Sequence, residues 1–87
     1  MFVKFNQRFD KQFHKAPVKI QKAFGKRLDI FILDQFHSLL NNHALKGKYQ
    51  GGRSINITGD WRAVYQTINQ GSTAYFIALG THGQLYK

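Results

Sequence analysis

The chain has 87 residues, thirteen Lys or Arg against four acidic side chains (all Asp), no cysteine and a formal charge of +9. Its length allows one domain, residues 1–87, and excludes a second core; the absence of cysteine excludes disulfides, a thiol nucleophile and zinc–thiolate sites. No segment approaches the roughly 20 apolar residues of a membrane span, and the N-terminus lacks the apolar run of a signal peptide, so a cytoplasmic protein without a membrane partner is expected.

An excess of basic side chains this large predicts a polyanionic partner, either nucleic acid or an acidic protein segment. The excess is uneven: residues 1–48 carry ten Lys or Arg and three Asp, whereas residues 49–87 carry three and one. With eight Phe, four Tyr and one Trp, the small core has bulky side chains to draw on, which give much buried area per residue ordered.

Met1 to Asn6 alternates apolar and polar residues and predicts a strand. Phe9 and Phe13 predict a short helix over about residues 7–15, which Pro17 ends while suiting the first turn of the next helix. From Val18 to about Leu40, the residues Ile20, Phe24, Leu28, Phe31, Ile32, Phe36 and Leu39 keep three–four spacing and predict one long helix with a core-facing stripe. Lys15, Lys19, Lys22 and Lys26 keep the same spacing on the opposite side, a basic rail. Gly25 disfavours the helix and permits close packing or a bend.

Asn41 and Asn42 tolerate the left-handed conformation that closes a helix, and His43 to Gly52 reads as a connection. Arg53 to Ile57 alternates, with Ile55 and Ile57 on the core side and Ser54 and Asn56 opposite. A turn at Thr58-Gly59 leads into a strand from Trp61 to Ile68. A turn at residues 69–72 leads to the apolar run Ala74 to Leu79, a central strand, and Gly80 to Lys87 is a tail. The predicted order is β-α-α-β-β-β: an α+β domain with a small, antiparallel-rich sheet and two helices on one face.

The four histidines, His14, His37, His43 and His82, have no metal-pair spacing, and neither Cys nor Glu is present to complete a set. Neither a metal nor a cofactor is expected, and no serine sits on a strand-to-helix elbow. Phosphodiester chemistry fits better. Cleaving RNA through its own 2′-hydroxyl needs a base for the 2′-OH, a cation for the phosphorane oxygens and an acid for the 5′-oxygen, with no metal. His43, Asp60, Arg62 and His82 supply such a set, with Lys46 and Lys48 as phosphate anchors. Each also has a plain alternative: His43 as a capping residue, Asp60 as a turn residue, Arg62 as a surface cation and His82 as a loop residue.

The blocks H-A-L-K-G-K from His43, G-G-R-S-I-N-I-T-G-D-W-R-A-V-Y from Gly51 and F-I-A-L-G-T-H from Phe76 resemble the RelE/ParE toxin superfamily, closest to its YafQ and YoeB branches. The resemblance spans about residues 1–86 and is sharpest over 43–86. It implies the toxin of a type II toxin–antitoxin system, a ribosome-dependent endoribonuclease that cuts mRNA in the A site and is held inactive by a cognate antitoxin. It assigns His43 or Asp60 as base, Arg62 to the scissile phosphate, His82 as general acid and Tyr86 to stacking on a base. Lys46, Lys48, Arg53, Asn56 and Trp61 complete the expected RNA-contacting set.

One position departs from the pattern. Those branches carry a functional Arg or His where this chain has Asn56, and Asn neither bears charge nor relays a proton. The departure supports an alternative, a non-catalytic interaction protein: a ParE-like gyrase inhibitor or a degenerate toxin that only binds its antitoxin.

Overall fold

The computed structural model describes residues 1–86. Strand β1, Phe2–Phe5, leads directly into α1, Gln7–Lys15. Asn6 starts that helix by accepting from the Phe9 N–H at 2.7 Å, which satisfies one of the free donors of the first turn. Ala16 leaves the helix in an extended conformation, and α2, Val18–Leu33, begins just after Pro17.

Helix α2 stops at Leu33, not near Leu40. Two polar side chains bond the local main chain in place of the helical ladder. The Asp34 carboxylate accepts from the Phe36 N–H at 3.1 Å, and His37 Nδ1 accepts from the Leu39 N–H at 3.1 Å. A short 3-10 turn, Ser38–Leu40, follows and closes at Asn41, which is left-handed with φ 46°. The consequence is a change of burial. Leu40 is fully buried, while Leu33, Phe36 and Leu39, at 89%, 59% and 54% exposure, face solvent rather than the core.

The segment after Asn41 is more ordered than a connection. His43–Ala44 forms edge strand β2, and a 3-10 turn spans Gly47–Tyr49. Then come β3, Arg53–Asn56, β4, Trp61–Ile68, and β5, Thr73–Thr81, the last longer at both ends than the apolar run suggested. The segment read as a tail contains a one-turn helix, α3, His82–Leu85. Its signal was present in the sequence: the Thr81 hydroxyl accepts from the Gln84 N–H while Gln84 Oε1 accepts from the Thr81 N–H, a reciprocal cap.

The five strands lie in the order β1-β5-β4-β3-β2, with β1 parallel to β5 and the other pairs antiparallel. Both main helices pack on one face. Phe9, Ile20, Phe24 and Phe31 meet Ile55, Ile57, Ala63, Tyr65, Phe76 and Leu79. Aromatic edges organise this core: Phe24 meets Phe76 with ring centroids 5.6 Å apart, and Phe31 meets Tyr65 at 5.0 Å, both near perpendicular. The lysines of the basic rail, Lys15, Lys19, Lys22 and Lys26, are all exposed.

A register slip shapes the other face. Val64 pairs with Ala78 but Tyr65 pairs with Phe76, so Ile77 is an extra residue on β5. The bulge lets Phe76 and Leu79 both point to the helices while Ala78 points away. On that second face Val64 and Ala78 are covered by Tyr49 and Leu85, flanked by Leu45, Ile77 and Tyr86. The β2–β3 connection and α3 thus fold over a second, smaller core. No helix among the described residues is long and apolar enough to cross a membrane.

Candidate functional site

Strand pairing sets two rows of residues on this second face. One row is His43, Ser54, Val64, Ala78; the next, toward the end of the sheet, is Asn56, Arg62, Gly80. Opposed residues in adjacent strands point to the same side, so His43 and Arg62 share a face by register. The chain then turns at Thr81 into α3, which carries His82 at its start and Tyr86 just past its end. Gly80 permits this fold-back, because a Cβ there would stand 3.1 Å from Gln84 Oε1 and 3.4 Å from Leu85.

Between these walls lies an open cleft of about 370 Å3, lined by Asn41, His43, Leu45, Lys46, Arg62, His82 and Tyr86. Five residues singled out from the sequence therefore converge: His43, Lys46, Arg62, His82 and Tyr86. Asn41 and Leu45 were not singled out. The paired asparagines signalled a left-handed cap but nothing about proximity, and Leu45 gave no signal at all.

The side chains in the cleft are held in specific states. His43 Nδ1 lies 2.9 Å from the Asn41 carbonyl oxygen. A carbonyl only accepts, so Nδ1 carries a proton, and Nε2 is the ring nitrogen that can act as a base. Arg62 donates from Nη1 to the Thr58 and Trp61 carbonyls, at 3.0 and 3.1 Å. Both partners are neutral, so the orientation is fixed and the positive charge stays available to an anion. The His82 ring sits 4.8 Å from the Tyr86 ring, which also meets Tyr49 edge-on at 6.0 Å. Lys46 is exposed, just ahead of the 3-10 turn.

Other sequence candidates lie elsewhere. Asp60 is exposed in the β3–β4 turn; its side chain does not line the cleft, while its carbonyl accepts from the His82 N–H at 3.0 Å and so anchors α3. Lys48 lies over the Tyr49 ring, 5.4 Å from its centre. Arg53 is engaged in the framework: its Nε donates to Asn42 Oδ1 at 2.7 Å and its guanidinium covers Phe36. Trp61 points to the helix side, against the main core. Asn56 stands opposite Arg62, half-buried, with its Oδ1 buried and without a hydrogen-bond partner among the described residues. Among the described residues no group of three or more His, Cys, Asp or Glu side chains could hold a metal ion.

This sheet order, with two helices on one face and a polar cleft on the other, defines a small domain of the RelE/ParE-like toxin fold. The fold is shared with YafQ from E. coli strain BL21(DE3), at 17% identity and a TM-score of 0.81 over 98% of this chain and 97% of that one. The YoeB/ParE toxin from Agrobacterium tumefaciens shares it at 19% identity and a TM-score of 0.77, over 94% and 99%. So does the E. coli DinJ–YafQ toxin–antitoxin complex, at 19% and 0.74, over 98% and 96%. No match was found among curated proteins. A family model described as the bacterial toxin of type II toxin–antitoxin system, YafQ, matches residues 1–87, and the chain belongs to that family.

Proposed function

We propose that this toxin is a ribosome-dependent endoribonuclease that cuts mRNA in the A site by metal-free attack of the 2′-hydroxyl. His43, through its unprotonated Nε2, removes the 2′-OH proton. The 2′-oxygen attacks phosphorus while Arg62, with Lys46, stabilises charge on the non-bridging oxygens. The P–O5′ bond breaks as protonated His82 gives its proton to the 5′-oxygen, leaving a 2′,3′-cyclic phosphate and a 5′-hydroxyl. Tyr86 stacks on a base beside the scissile bond. Asp60, the other base candidate, lies outside the cleft lining and acts here through its carbonyl on α3.

The convergence of His43, Arg62 and His82 on one cleft is the observation that carries this proposal. Family membership supports it. Asn56, with no charge to offer, favours the second reading, a toxin that binds without cutting. Purified protein added to ribosomes programmed with a defined mRNA, with 5′-ends mapped by primer extension, separates the two. Cleavage by wild type and its loss in His82→Ala is the expected result; intact mRNA alongside inhibited gyrase would sink the nuclease.

A cognate antitoxin is the proposed protein partner, as a solved YafQ is held in complex with DinJ. The charge of +9 suits an acidic antitoxin segment. Exposed Leu33, Phe36 and Leu39 offer it apolar surface, on the segment that leads into Asn41 and the cleft.

A further inference from the structure

Trp61 and Arg62 are adjacent on β4 and so point to opposite faces of the sheet. Arg62 lines the cleft described above, whereas Trp61 lines a second one, of about 310 Å3, with Gln12, Lys15, Leu79 and Gln84. The two clefts share a wall. Helix α3 contributes His82 to the first and Gln84 to the second, so the two clefts adjoin at this helix.

The second cleft combines a flat aromatic, a cation and two oriented amides. Trp61 is half-buried against the core, and its main-chain N–H donates to the Thr58 hydroxyl at 3.2 Å. Gln12 Oε1 accepts from the Leu79 N–H at 2.8 Å, and Gln84 Oε1 accepts from the Thr81 N–H at 2.9 Å. A main-chain N–H bonds only to oxygen, so both amide orientations are chemically determined. Each Nε2 is then left as a donor without a partner among the described residues. Lys15 stands exposed at the rim.

We propose that this cleft is a second subsite for single-stranded RNA, taking one nucleotide that flanks the scissile pair. The indole stacks on the base, the Gln12 and Gln84 amide hydrogens meet acceptors on its edge, and Lys15 meets the neighbouring phosphate. Stacking on an aromatic tolerates any base. The two donors favour bases rich in acceptors, guanine through O6 and N7 and uracil through its carbonyls. The place of this nucleotide along the RNA rests on the nuclease proposal; the binding itself needs no ribosome and is read without cleavage.

Trp61 is the only tryptophan, so its fluorescence reports this cleft alone. The full-length toxin is titrated with GMP, UMP, AMP and CMP, following tryptophan quenching. Saturable quenching in the millimolar range is expected, tighter for GMP and UMP than for AMP and CMP. Gln12→Glu keeps the bond to the Leu79 N–H but removes the donor; it and Lys15→Gln each weaken binding roughly tenfold. Arg62→Ala, on the other face, leaves the quenching curve within about twofold. Anisotropy of a fluorescein-labelled 2′-O-methyl RNA hexamer on Trp61→Leu supplies the second measurement, with roughly a tenfold loss expected. Absence of saturable quenching, or quenching lost in Arg62→Ala and retained in Lys15→Gln, overturns the subsite. Quenching by a protein that leaves mRNA intact refutes only the nuclease, and cleavage without quenching refutes only the subsite.

Discussion

The His43 ring donates a hydrogen bond from Nδ1 to the Asn41 carbonyl oxygen 2.9 Å away, and the left-handed backbone of Asn41 helps position that carbonyl. The main chain, not a side chain, therefore sets the tautomer of the proposed base. Asn41→Gly keeps the conformation and the carbonyl, so it retains most mRNA cleavage. Asn41→Val strains the left-handed site and lowers the rate, and His43→Ala lowers it about 10²–10⁴-fold. Single-turnover cleavage on programmed ribosomes compares the three, and equal rates in all of them would remove His43 from the chemistry.

Arg62 is oriented through one nitrogen by two carbonyls. Lysine keeps the charge but cannot reproduce the planar fork that holds a phosphate and the main chain together. Arg62→Lys is expected to lose about 10²–10³-fold in cleavage rate, with thermal stability nearly unchanged. A rate within a few-fold of wild type would show that charge alone suffices.

Arg53 belongs to a structural network rather than to the cleft. Asn42 Nδ2 donates to the Tyr65 hydroxyl at 2.7 Å and to the Gln35 carbonyl at 2.9 Å, while Arg53 donates to the same amide. Tyr65 is fully buried, so Asn42→Ala leaves its hydroxyl unpaired and costs about 1–3 kcal/mol in urea denaturation. Arg53→Ala destabilises through the same network, and the double variant falls short of the sum. RNA affinity should drop for Lys46→Ala and hold for Arg53→Ala; the reverse order would restore Arg53 to the RNA contacts.

Gly52 closes the connection that carries Leu45 and Lys46. A Cβ there would lie 3.1 Å from the Tyr49 carbonyl oxygen and 3.2 Å from that of Tyr65, both main-chain atoms that give way poorly. Gly52→Ala is expected to cost about 1–3 kcal/mol and to raise amide exchange across residues 45–52. Unchanged exchange there would mean the segment relaxes freely.

Leu33 and Leu39 contribute little to the core at 89% and 54% exposure. Leu33→Ser with Leu39→Ser should shift stability by no more than about 0.5 kcal/mol per site. The same pair should weaken capture of the cognate antitoxin at least roughly tenfold, measured by calorimetry. Undiminished affinity would place the antitoxin on another face.

The sequence by itself determined the type and order of the six main elements, β1, α1, α2, β3, β4 and β5, and the inward side of β3, because burial imprints a period of two or 3.6 on each element separately. The short β2 and α3 carry no such period, and their segments read as a connection and a tail. Ile55 and Ile57 are buried and Asn56 faces the other way, as alternation required. The same periodicity overran the end of α2: Phe36 and Leu39 keep the spacing, but Asp34 and His37 bond the local main chain and end the helix first. Which polar residues meet was decided only by tertiary structure. His43 and Arg62 share a face through pairing in two different strand pairs, and His82 joins them because Gly80 and the Thr81–Gln84 cap turn α3 back over the sheet. Asp60 and Trp61 immediately precede Arg62 in sequence yet lie outside its cleft, because a turn and the opposite side of a strand hold them there. Proximity across strands depends on register, and register is a property of pairs of segments that no single segment encodes.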